Sequence, residues 1–240
     1  MIEAAESASV TAADDVSVGA PARTWSIVAL LALSVASLGL LTTVDDAALL
    51  FLGSAAAAGS RFGPALVWLI DARVTSCMAC AVLYVTTRHL ARDEPRGRAV
   101  NWRRVIVLAL LWVFGTVMSV FVIGVYVPAL PRSVDIAAFI GFGLLAEELL
   151  FRGALFALAA RTFPTRRGMP IVWTAALFSA QHLQFYHYHV SANALVQLGY
   201  SFPMGLVLGY IRSASRRVWP AVATHVATNA VTVLHGIIPS

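Results

Sequence analysis

The chain of 240 residues has no lysine; all 17 of its basic residues are arginine. Charged residues of every kind make up only 12% of it, against 59% hydrophobic. With a mean hydropathy of +0.79, that scarcity of charge excludes an ordinary soluble domain. The net charge of +5 does not indicate a nucleic-acid partner, because the arginines sit in short stretches between apolar runs and form no continuous stripe. Cysteine is equally scarce. Cys77 and Cys80 are the only two, which excludes a disulfide scaffold. Their "CMAC" spacing lies inside an apolar run with no second pair, so close packing between helices explains it better than zinc or redox chemistry. The first twenty residues lack a basic stretch followed by an apolar core and therefore do not read as a cleaved signal peptide. Acidic, small and polar, they are expected to form a disordered tail.

What the chain has in abundance is long apolar runs, several reaching the roughly 20 residues that cross a bilayer as helix. The runs are Thr24–Val44, Val74–His89, Val105–Val127, Ile136–Ala160, Met169–His189, Ala192–Ile211 and Val218–Ile237. A further stretch, Asp46–Ala72, is interrupted by Arg61 and Gly63-Pro64. The expected fold is all-α, a polytopic membrane bundle of about seven or eight transmembrane helices, with no repeat at a solenoid period. Residues 1–23 are the tail, 24–130 the N-terminal helices without a recognised motif, and 131–240 the part that carries chemistry. Arg88 to Arg104, Arg161 to Arg167 and Arg212 to Arg217 alternate with arginine-poor turns. By the positive-inside rule the basic turns are expected in the cytoplasm and the C-terminus outside.

Against this background the polar residues inside the last runs stand out. "GLLAEELLFRG" places Glu147, Glu148 and Arg152 in an apolar stretch. A charge at the centre of a membrane helix costs about 2.5–3.5 kcal/mol on insertion scales, and such residues face protein or a wet cavity. Glu148 and Arg152 are four apart and share a helical face, as a structural ion pair does. Glu147 points about 100° away with no sequence-near cation, so it is a candidate for proton exchange. Depth adds a second argument. At 1.5 Å per residue, Glu147, His182 and Asn229 each lie roughly 18–22 Å from a basic helix end. His225 is one turn from Asn229 on the same face. Three helices thus carry their unusual residues to one layer, which predicts one shared site. Gly205 and Gly209 read as a close helix contact. His187 and His189 are expected at a membrane interface, since their spacing does not share a helical face.

These motifs resemble those of the CAAX-protease and bacteriocin-processing family of intramembrane proteases. "AEELLFRG" is similar to its EExxxR motif, "FSAQH" to FxxxH with Phe178 and His182, and "HVATN" to HxxxN with His225 and Asn229. The resemblance covers roughly Ile136 to Ile237. It implies a helical intramembrane endopeptidase in which Glu147 and His182 activate a water while His225 and Asn229 stabilise the oxyanion. Glu148 and Arg152 would support the site, and Phe178 would pack one turn before His182. A reaction without metal is the preferred reading. The alternative is zinc held by Glu147, His182 and His225. The expected partners are a peptide or membrane-protein substrate and the lipid bilayer, with no nucleic acid, and the lysine-free, arginine-rich chain looks like one from a bacterial cell membrane. Two other classes fit buried Glu, His and Arg residues: a proton-coupled transporter, and a catalytically silent membrane partner of the same fold. No internal repeat or pair of matched broken helices favours the transporter.

Overall fold

A computed structural model describes residues 20–39, 73–88, 100–122 and 139–237. The stretch from Asp46 to Ala72, residues 1–19 of the expected tail and Arg132 lie outside the described residues, and the last four residues expected in the tail are helical, as the start of α1. Seven helical rods make up the rest, and the fold class is all-α. They are α1 (Ala20–Ser37), α2 (Val74–Thr87) and α3, α-helical over Trp102–Val117 and continuing as π-helix over Met118–Val122. In α4 two π-helical stretches, Phe139–Gly143 and Leu149–Leu155, alternate with α-helix over Leu144–Glu148 and Phe156–Thr162. The last three are α5 (Met169–Gln181, with a 3-10 turn over His182–Tyr186), α6 (Ala192–Ser215) and α7 (Trp219–Ile237).

The expected count of seven or eight transmembrane helices is overturned. Among the described residues, two helices are long and apolar enough to cross a bilayer: Trp102–Phe121 and Ala192–Ser215. The physical reasons differ by helix. At 14 residues α2 is about 21 Å long, short of a hydrocarbon core of about 30 Å. In α5 the regular helix stops at Gln181, after 13 residues, where the sequence reading ran on to His189. The central charges interrupt α4, and His225, Asn229 and several threonines dilute α7. The two long helices support a membrane-associated protein. So do the large apolar side chains turned outward on α1, α2 and α3, among them Trp25, Val35, Met78, Val82, Leu110 and Phe114.

The helix α4 is the axis of the molecule. Leu150, Phe151, Arg152, Ala154, Leu155 and Ala159 are all fully buried. On one side α2 packs parallel to it: Arg73 lies against Gly143 and Tyr84 against Gly153. A Cβ on Gly153 would stand 2.6 Å from the Tyr84 ring, so only glycine allows this approach. The N-terminal half of α1 meets the far end of α4, where Thr162 donates to the Ser26 carbonyl at 3.4 Å. Farther along, Ser34 accepts from the Trp173 indole at 3.0 Å, and the Leu38 carbonyl accepts from the Tyr188 hydroxyl at 3.2 Å.

Helix α5 rides closely on α6. A Cβ on Gly205 would stand 2.8 Å from the Ala175 Cα, and one on Gly209 would stand 3.1 Å from Ile171. The glycine pair therefore sets the spacing of these two helices, as its four-residue interval predicts. Val105 joins Leu208, Ile211 and Ala221 in a second core cluster, which ties the start of α3 to the end of α6 and the start of α7. These contacts gather the helix ends bearing Arg88, Arg103, Arg104, Arg161, Arg212 and Arg217 at one end of the bundle.

Candidate active site

The site is built where α4, α5 and α7 meet. Glu148 and Arg152 are both fully buried, and Arg152 Nη1 donates to Glu148 Oε1 at 3.0 Å. Their four-residue spacing survives the change from α- to π-helix at Leu149, so the two side chains still share a face. Nη2 of Arg152 reaches the Gly205 carbonyl at 3.4 Å. Around the backbone, Arg212 donates from Nε to the Arg152 carbonyl at 3.0 Å and lays its guanidinium over the Phe156 ring at 5.0 Å.

Glu148 has a second partner that the sequence spacing did not reveal. His225, 77 residues later on α7, brings Nδ1 to 2.8 Å from Glu148 Oε1. A carboxylate accepts, so Nδ1 carries the hydrogen. That fixes the ring and turns Nε2 outward, 3.9 Å from Oε2 of Glu147. His225 thus stands between the two adjacent carboxylates, one binding it and the other facing its open nitrogen. Glu147 retains a little exposure, 13% of its side chain against none for Glu148. It is the one of the two that water can reach.

His182 follows the same rule from another helix. Its Nδ1 lies 2.7 Å from the Phe178 carbonyl one turn back, so here too Nδ1–H donates and Nε2 is left open. The ring lies near Glu147 and packs, like that of His225, against Phe178. Phe178, 1% exposed, is the shared wall. Its ring meets those of His182 (5.0 Å), Phe151 (5.5 Å) and His225 (5.6 Å) edge to face, and the Arg152 guanidinium sits 4.2 Å from its centre. A desolvated cation over an aromatic face contributes about 2 kcal/mol. Phe178 therefore holds the arginine as well as spacing the two imidazoles.

The structure brings Glu147, Glu148, Arg152, Phe178, His182 and His225 together. Asn229 is half-buried one turn beyond His225 on α7, and its carbonyl accepts from Thr232 at 2.8 Å. One residue escaped the sequence reading. Gln181, beside His182, is fully buried, and neither end of its amide is hydrogen-bonded. A buried amide without partners is costly, and its place next to a motif histidine in an apolar run was the available signal. His187 and His189 are exposed at the turn after α5, where His187 and Tyr188 both adopt positive φ. Cys77 and Cys80 are buried and pack against α4.

Among the described residues no three His, Cys, Asp or Glu side chains come together as a metal shell. Chemically, the cluster offers one reachable carboxylate and two imidazoles with open Nε2 atoms. A buried ion pair lies beneath, set to hold one of the rings.

Residues 130–231 match a family model described as type II CAAX prenyl endopeptidase Rce1-like. The match covers somewhat less than half of the chain and includes α4 to α7 up to the site. Over that part the chain is similar to the CAAX protease superfamily, and its buried His–Glu contacts are consistent with a catalytic site of that kind. No curated protein and no solved structure matches this chain.

Proposed function

We propose that the protein is an intramembrane endopeptidase whose catalytic part is residues 131–240, acting on a peptide or a membrane protein. The observation that carries the reading is His225 held between Glu148 at 2.8 Å and Glu147 at 3.9 Å. Glu147 takes a proton from water, assisted by the open Nε2 of His182. The hydroxide adds to the scissile carbonyl. The scheme requires a second proton on His225, at Nε2, with Glu148 beneath to balance the charge; that N–H and the Asn229 amide donate to the developing oxyanion. The proton held by Glu147 then passes to the leaving amine. Glu148 is more than structural support in this scheme, because it selects which nitrogen of His225 faces the reaction.

Glu147→Gln keeps the shape and removes the base, so cleavage should fall by about 10²–10⁴-fold with unchanged folded yield. The measurement compares new protein termini in membranes carrying equal amounts of wild-type and variant protein. The same termini in both would sink the assignment. In this reading the wild-type activity also survives exhaustive chelation. Activity lost with zinc and restored by zinc would instead make Glu147, His182 and His225 ligands.

The basic end of the bundle faces the cytoplasm in this reading, by the positive-inside rule, and the membrane is a bacterial one. A single cysteine replacing Arg166 should be labelled by an impermeant reagent only after the inner face is opened. Labelling from intact cells would reverse the orientation.

A further inference from the structure

Between the start of α3 and the end of α6 runs an open groove of about 800 Å³, away from the cluster around Phe178. Its lining is divided along its length. Asn101, Arg103 and Arg104 form one end. Val107, Leu108, Leu111 and Tyr210 form the wall. Among the described residues no acidic side chain lines it. Val107 and Leu111 are one turn apart on one helical face, and the outward apolar row continues through Leu110 and Phe114. Only 17% of the apolar stretch of α3 is buried among the described residues, an exposure that suits a wall facing hydrocarbon.

We propose that this groove binds an anionic phospholipid, its phosphate on Arg103 and Arg104 and an acyl chain along Val107, Leu108 and Leu111. The charge is complementary, and a guanidinium pair suits phosphate geometry better than any other side chain. Basic pockets between membrane helices at the cytoplasmic level recognise acidic headgroups on these grounds. The first turn of α3 adds the positive end of a helix dipole. Asn101 already caps that turn, accepting from the Arg104 amide at 3.1 Å, which keeps the two arginines in register at the mouth. A free phosphate would satisfy the arginines but leave the apolar wall unused. The amphipathic lining therefore commits the site to a lipid.

The test uses the full-length protein purified in detergent, with phosphatidylglycerol or phosphatidylcholine of identical acyl chains added and retention read by native mass spectrometry. Wild type should retain phosphatidylglycerol over phosphatidylcholine. Arg103→Gln with Arg104→Gln should weaken that retention about thirtyfold. The control is Arg166→Gln with Arg167→Gln, which removes two exposed arginines from the same end of the bundle but outside the groove. It should leave retention unchanged. An equal loss in the control pair would show a general attraction of the basic end and overturn the site. So would equal retention of both lipids, or displacement of phosphatidylglycerol by inorganic phosphate at matched concentration. All four arginines are exposed, and unfolding temperatures equal to wild type should confirm that each variant is folded.

Discussion

The helices α3 and α4 invert each other. Helix α3 is apolar through most of its length and shows those side chains to the outside, with Leu110 and Leu111 more than 60% exposed. Helix α4 carries two carboxylates and a guanidinium at its centre, and Glu148 and Arg152 are wholly buried. In water the assignment would run the other way. Where the surroundings are hydrocarbon, apolar residues gain nothing by entering the core, and charged ones must enter it to find partners. Along α3 hydropathy marks the outside of the bundle, and at the centre of α4 charge marks its inside.

The hardest blow to this arrangement is Arg152→Ala. It strands Glu148 beneath His225 and removes the cation from Phe178. We expect a loss of about 3–5 kcal/mol of stability, read as chemical unfolding in detergent. A loss below about 1 kcal/mol would mean that the pair behaves as a surface ion pair and that the contrast with α3 is false. Gln181→Leu sharpens the same contrast in the opposite direction. Replacing an unbonded buried amide with an apolar group of similar size should raise stability by about 1–3 kcal/mol. A fall would reveal a bonding partner for the amide. The smallest effect belongs to α3. Leu110→Ala, on the outward face, should change stability by no more than about 0.5 kcal/mol. A core-like loss would place that face against protein.

Much of the site was legible because its signals are local or rest on the depth of single residues. The Glu148–Arg152 pair follows from four-residue spacing, and the separate direction of Glu147 follows from helix geometry. The approach of Gly205 and Gly209 to α5 was readable in the same way. The bond between His225 and Glu148 was not, because it joins residues 77 apart and depends on how α7 rotates against α4. Gln181 was passed over among ordinary amides, since burial without a partner is a tertiary property. The number of spanning helices failed for a different reason. Apolar runs were followed through Gln181 and His182, where the backbone tightens to a 3-10 turn, and through the residues of α7 that belong to the site. Composition could not show that α5 ends early and that the polar residues of α4 and α7 shorten the apolar stretches in which they sit.

The π-helix at Leu149–Leu155 has a consequence for how this gene can tolerate insertions and deletions. This stretch sits between the half of α4 that offers Glu147 and Glu148 to His225 and the half that carries Leu158 and Thr162 to α1. Losing one residue within it would turn the halves by about 100° against each other. Glu147 and Glu148 could keep their places only if Thr162 left the Ser26 carbonyl, or the reverse. Length changes inside these seven residues are therefore more damaging than most substitutions there, because they misalign two sets of contacts that no single side chain can bring back into phase.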